Sequence, residues 1–261
     1  MTERPLAGRG AVVTGAGRGI GAAVAVALAD AGARVVLAAR TADSVERVAG
    51  EIESRGGTAW AVAADVSVEA DVRRLGIEAR RSLGAIDVLV NAAGAATSSP
   101  LRKVTLDDWN RMLAANATSA FLCAREFAPE MADRGWGRVV TIASVAGLAG
   151  GRYIAPYAAS KHAVIGFTRS IALELGDRGV TANAICPGYV DSPMTERTLE
   201  NVRARTGLPR EQALAAVLAT TGQARLVAAE EVAAEAVRLC GDGARGVNGE
   251  SIVLNPGADA P

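Results

Sequence analysis

The chain has 261 residues, half of them hydrophobic but only 3% aromatic, so any core is built from Ala, Val, Leu and Ile; the length suits one large α/β domain or two small ones. Its 28 basic and 28 acidic residues cancel and are well mixed, leaving no surplus of positive charge to attract nucleic acid or an anionic membrane. Cys123, Cys186 and Cys240 are odd in number and far apart, which argues against a disulfide framework or a zinc site and for a reducing, cytoplasmic setting.

The polar start MTERPLAGRG lacks the apolar run of a signal peptide, and no stretch approaches the ~20 apolar residues of a membrane span. Along the chain, short β-branched runs alternate with longer helical patterns. GAVVTG reads as a strand, IGAAVAVALADAG as a helix closed by Gly32, and ARVVLAA as a second strand. ADSVERVAGEIESRG is an amphipathic helix, TAWAVAAD a strand, EADVRRLGIEARRSLG a helix, and AIDVLVNAAG a buried strand running into a small-residue turn. A long helical stretch around DDWNRMLAANATSAFLCAREF precedes the strand GRVVTIAS. Then come the helix YAASKHAVIGFTRSIALELGDRG, the strand VTANAICPG, the helix EEVAAEAVRLCG and a last strand, ESIVLNPG. Strand-helix alternation requires crossovers, hence a mostly parallel, doubly wound sheet covered on both faces. We expect one domain over 1–261. Its irregular part, 191–226, is broken by Pro193, Gly207, Pro209 and Gly222 and lies where a substrate lid would sit.

TGAGRGIG, residues 14–21, leaves the first strand and enters the first helix. Glycines let a backbone turn sharply and approach a pyrophosphate, which a helix N-terminus attracts. The strict G-x-G-x-x-G spacing fails at Ile20; T-G-x-x-x-G-x-G is present through Gly15, Gly19 and Gly21. At the tip of the second strand, where an acid would hold ribose hydroxyls, stands Ala39, followed by Arg40. Arg18, in the glycine turn, is expected to project toward the same place. Two guanidiniums and no carboxylate favour NADP(H). Tyr157 and Lys161, four residues apart in APYAASKHAV, share one helix face. A phenol, with a pKa near ~10, is a poor acid at neutral pH unless an adjacent ammonium lowers that value.

Together with NAAG at 91–94, Asn116, Ser144 and the PG at 187–188, these motifs resemble, in order and spacing, the short-chain dehydrogenase/reductase family over nearly the whole chain. The resemblance implies a single Rossmann-type domain with a seven-stranded parallel sheet, usually a homotetramer. It implies Asn116, Ser144, Tyr157 and Lys161 as the catalytic set, Lys161 also holding ribose hydroxyls and Asn116 a relay water. It implies Ile20 in the phosphate turn, Asp65 and Val66 near the adenine, and Asn91 bracing the central strand beside Ala92 and Gly94. Pro187, Gly188, Val190 and Ser192 would lie along the nicotinamide. Ser144 also ends a strand, where open α/β sheets collect ligands. The chain departs from the pattern with Ala92 where a second asparagine is more frequent, with Ser192 for threonine, and with LNPG at the last strand's end, which bears on the tetramer.

His162, the sole histidine, adjoins Lys161 but points elsewhere on a helix, and no metal-ligand spacing is present. Cys186 reads as a buried strand residue near the nicotinamide pocket. The stretches around Tyr157 and Pro187 look most like 3-oxoacyl-thioester reductases and aromatic-polyketide ketoreductases. The expectation is therefore NADPH-dependent reduction of a ketone, with Tyr157 as general acid. Alternatives are an NAD-dependent secondary-alcohol dehydrogenase, disfavoured by the missing acid at strand two, and a non-catalytic dinucleotide sensor, which has no need of all four catalytic residue types.

Overall fold

Each apolar run becomes a strand in the computed structural model, which describes residues 4–257. Seven strands, β1 (Gly10–Thr14), β2 (Arg34–Ala39), β3 (Thr58–Ala63), β4 (Val88–Asn91), β5 (Gly137–Ile142), β6 (Val180–Pro187) and β7 (Ser251–Leu254), form one sheet. Every pairing is parallel, in the order β3-β2-β1-β4-β5-β6-β7. The order reverses between β1 and β4, the switch point where open sheets of this kind bind ligands beyond their carboxyl ends.

Nine helices occupy the crossovers among the described residues: α1 (Gly19–Asp30), α2 (Ala42–Ser54), α3 (Glu69–Leu83), α4 (Leu106–Leu113), α5 (Ser119–Asp133), α6 (Ala155–Leu175), α7 (Pro193–Thr206), α8 (Arg210–Ala219) and α9 (Ala229–Cys240). Successive strand residues serve opposite faces. Val13, Val35, Val90 and Ile185 pack with Val24, Leu28, Ile52 and Leu239 of α1, α2 and α9. Val12, Leu89 and Val139 pack with Leu75, Phe127, Met131 and Leu175 of α3, α5 and α6. Each such fully buried side chain stabilises by about 2 kcal/mol, which explains a sheet covered mainly by aliphatic side chains, with Phe127 the one fully buried aromatic among the described residues. Among the described residues no helix is long and apolar enough to cross a membrane.

Two stretches differ from the sequence reading. The long helical pattern before β5 is divided by a π-helical segment, Ala114–Thr118, between α4 and α5; one wide turn of this kind turns its residues relative to the flanking helices. Residues 191–226 are more regular than expected. Pro193 starts α7 and Gly207 closes it in a left-handed conformation, so the breakers delimit two helices. These helices have a small core of their own around Leu199, Ala213 and Val217.

Candidate active site

The carboxyl edge gathers the turn after β1, the ends of β4, β5 and β6, and the start of α6. At the first of these, Gly15 has φ +66°, and a Cβ there would come within 2.7 Å of the Ala92 carbonyl oxygen and the Ala93 nitrogen. Only glycine lets the β1 turn lie against the β4 turn. A Cβ on Gly21 would strike the Gly15 oxygen at 2.3 Å, which seats α1 under the same turn. α1 has no acidic residue in its first turn and no side-chain cap, with Arg18 at its N-cap. Its first N–H groups, flanked by Gly19 and Ile20, thus fit an anion.

The loop after β4 is braced by a residue the sequence reading missed. The Thr14 hydroxyl accepts hydrogen bonds from the Ala92 and Ala93 amides, both at 3.2 Å. Asn91, expected to brace the strand, is buried, and neither Nδ2 nor Oδ1 has a hydrogen-bond partner. A buried amide without partners at a ligand-binding edge is itself suited to a bound group.

On the adenosine side, Arg40 is solvent-exposed at the tip of β2. Arg18 lines a cavity with Asp191, Ser192, Pro193, Glu196, Arg197 and Glu200, at the first turns of α7. Closer to Gly17 is Arg47 of α2, whose Nη2 donates to the Gly17 carbonyl at 3.0 Å. Within the periodic run of α2 nothing marked it out. Asp65 turns inward on its own loop, accepting from the Ser67 amide at 3.0 Å and the Ser67 hydroxyl at 2.6 Å, and Val66 beside it is buried.

Asn116 lies in the π-helical segment, almost fully buried. Its Oδ1 accepts from the Ala95 amide, and its Nδ2 donates to the Ala95 carbonyl and to Ser160 Oγ, each at 2.9 Å. Ser160 in turn donates to the Tyr157 carbonyl at 2.7 Å. Asn116 therefore ties the β4 loop to the first turn of α6. A Cβ on Gly94 would sit 2.7 Å from Asn116 Oδ1 and 3.7 Å from Lys161 Nζ, so these three share one space.

Lys161 is buried, and its Nζ donates to the Ile142 carbonyl at 2.8 Å, holding the end of β5 from which Ser144 follows. Burial pulls the ammonium down to about 8. The Ser144 hydroxyl accepts from the Ala146 amide at 3.1 Å, capping a short 3-10 turn. The expected lowering of the Tyr157 phenol is not met. Lys161 Nζ lies 6.0 Å from the phenol ring centroid and spends its hydrogen bond on Ile142. Burial raises the phenol, Ser144 opposes that rise, and Tyr189 adds to it. At neutral pH the phenol is therefore protonated, the form an acid needs.

Beyond β6, which Pro187 ends, Val190 is buried and bridges in parallel to Val227. Ser192 caps α7, its Oγ accepting from the Thr195 amide at 3.4 Å. Cys186 is buried, and burial pushes its thiol up to about 11. His162 is exposed and hydrogen-bonds the Ala158 carbonyl, away from Lys161.

The sequence profile described as short chain dehydrogenase matches residues 9–203. The D-beta-hydroxybutyrate dehydrogenase of Rhizobium meliloti is 34% identical over 251 residues, covering 95% of this chain and 97% of that protein. A 3-oxoacyl-[acyl-carrier-protein] reductase of Synechocystis is 42% identical over 187 residues, 71% of this chain and 76% of that one. Among solved structures, an actinorhodin polyketide ketoreductase variant crystallised with NADPH superposes with a TM-score of 0.90 at 34% identity, covering 95% of each chain. With the glycine turn at the sheet's switch point, Ser144, Tyr157 and Lys161 around the same edge, and a match across most of its length, the chain belongs to the short chain dehydrogenase family.

Proposed function

We propose that the protein is an NADPH-dependent carbonyl reductase acting on a ketone of the 3-oxoacyl-thioester or polyketide type. The observation that carries this reading is the convergence of a protonated, half-buried Tyr157 with Ser144, Lys161 and Asn116 at the edge where the glycine turn opens. The residues fit a dinucleotide: Gly15 and Gly21 let the β1 turn and the start of α1 close up on each other, and Gly19 keeps the backbone open at α1, where a pyrophosphate would sit. The buried, unpartnered Asn91 amide would turn to the cofactor with Ala92 and Gly94, and Pro187 to Ser192 would bound its nicotinamide end. Arg40 is the residue best placed for a 2′-phosphate, and Asp65 and Val66 flank the adenine. Bound there, the reduced nicotinamide supplies a hydride for the carbonyl carbon.

The chain supplies the proton. Ser144 holds the substrate oxygen next to Tyr157, whose hydroxyl proton passes to that oxygen as it becomes an alcohol. Lys161 holds the end of β5 beside the acid through the Ile142 carbonyl, and the tyrosinate left behind is reprotonated from solvent along the polar cluster that includes Asn116 and Ser160. The α7–α8 hairpin acts as the lid, and its Leu, Val and Ala residues mixed with arginines suit an acyl chain on a phosphorylated carrier. The enzyme works in the reducing cytoplasm, where its three buried free thiols stay reduced. It assembles as a homotetramer, for which exposed Leu106, Trp109 and Phe121 on α4 and α5 provide apolar surface.

The test is a titration with NADPH and with NADH, followed by initial rates on 3-oxoacyl thioesters, cyclic ketones and polyols. Tight NADPH binding that weakens at least tenfold in Arg40→Ser, with turnover of a thioester, supports the reading. A preference for NADH with activity only on alcohols or polyols refutes it in favour of an oxidative dehydrogenase.

A further inference from the structure

Gln223 stands between α8 and α9 with 6% of its surface exposed, and every hydrogen-bonding position of its carboxamide that faces the chain is used. Its Oε1 accepts from the Tyr189 amide at 2.7 Å and the Thr221 hydroxyl at 2.8 Å. Its Nε2 donates to the Tyr189 carbonyl at 3.1 Å and the Arg225 carbonyl at 3.2 Å. An amide that accepts from one peptide's N–H and donates to its C=O imitates the pairing of a neighbouring strand. β6 ends at Pro187 and β7 at Leu254, so this side chain extends sheet-like pairing past both strands.

The pairing falls where the lid is hinged. The chain enters the α7–α8 hairpin through 188–192 and leaves through 220–227. The two stalks are joined by the Val227 amide on the Tyr189 carbonyl at 2.9 Å and the Asp191 amide on the Val227 carbonyl at 2.8 Å. Gly188 completes the arrangement: a Cβ there would collide with Gln223 Oε1 at 2.5 Å and with Asn255 Oδ1 at 2.4 Å. Tyr189, whose peptide Gln223 holds, packs its side chain on the lid's own cluster of Leu199, Ala213 and Val217.

We propose that Gln223 is a positioning residue: by pairing with the Tyr189 peptide it sets the angle at which the α7–α8 lid is carried over the substrate site. This rests on the reductase reading above, but part of its test does not. The full-length Gln223→Leu variant keeps side-chain size and leaves the Tyr189 N–H and C=O without that partner. Trypsin should then cut the lid at Arg197, Arg203, Arg205 or Arg210 about tenfold faster than in the wild type, from the loss of the carboxamide's four hydrogen bonds, two of them to Tyr189. The KM for the ketone should rise about tenfold with kcat changed less than threefold.

In Gln223→Glu the ionised carboxylate cannot donate to the Tyr189 carbonyl, but the protonated acid can. Its defects relative to wild type should shrink as pH falls from about 8 to about 5.5, since burial raises a carboxyl. Should Gln223→Leu not fold, Thr221→Val, which removes only the hydroxyl feeding Oε1, must show smaller changes of the same sign. Wild-type lid cleavage in the folded variant overturns the hinge role. Faster cleavage with an unchanged KM, or a pH-independent Glu variant, overturns the positioning role. If the wild type reduces no ketone, the reductase reading falls, while the cleavage comparison still decides the hinge.

Discussion

Lys161→Met should make this protein more stable at neutral pH while removing its activity. Burial brings the Lys161 ammonium from the ordinary lysine value of 10.5 down to about 8. Holding the charged form in the fold therefore costs about 3 kcal/mol at pH 7, at roughly 1.4 kcal/mol per pKa unit. The hydrogen bond to the Ile142 carbonyl at 2.8 Å returns about 1 kcal/mol. Methionine fills nearly the same volume without a charge, so the variant should gain about 2 kcal/mol.

The sign of the pH dependence follows from proton counting. Between pH 8 and 10.5 the unfolded chain binds more protons at this site than the folded one, so wild-type stability rises with pH through that window. The penalty is complete below about 8 and has dropped to roughly 1 kcal/mol by pH 10. Urea unfolding of both proteins at pH 7 and pH 10 measures the difference. A variant less stable than wild type at pH 7, or a gain identical at both pH values, would refute the account of Lys161 as a charge kept at the expense of stability for function.

Tyr157→Phe should lower kcat by about 10³-fold or more, as expected on removing a general acid, while the NADPH dissociation constant from fluorescence titration stays within about twofold. Retained turnover would remove Tyr157 from the mechanism. Gly15→Ala should lose about 2 kcal/mol or more in urea unfolding, from a left-handed φ of +66° and a 2.7 Å approach to Ala92 and Ala93, and its NADPH affinity should fall with it. Cys186, buried with its thiol pushed up to about 11, should resist iodoacetamide at pH 7.5. Mass spectrometry that finds it alkylated in the native protein would contradict that burial.

What the sequence determined by itself was whatever is written in local periodicity and in the order of motifs. Seven apolar runs separated by helical patterns require parallel strands with crossovers, because apolar residues on both faces of a strand need cover on both faces. The spacing of Tyr157 and Lys161 put them on one side of α6, since residues four apart share a helix face. The breakers Pro193 and Gly207 were legible as interruptions, but whether they ended a helix or began one was not.

Tertiary structure decided what depends on distant partners. Thr14 as the brace of the β4 turn, Arg47 on the Gly17 carbonyl and Gln223 on the Tyr189 peptide are contacts between residues 30 to 79 positions apart, and no local pattern encodes them. The same holds for Asn91, whose amide stays unpartnered, and for Arg18, which shares a cavity with the first turns of α7. The direction of the Tyr157 shift was also tertiary. A lysine four residues away suggested a lowered phenol, but enclosure by protein outweighs a cation committed to Ile142, because desolvation depends on everything that surrounds a group and not on its nearest neighbour in the chain.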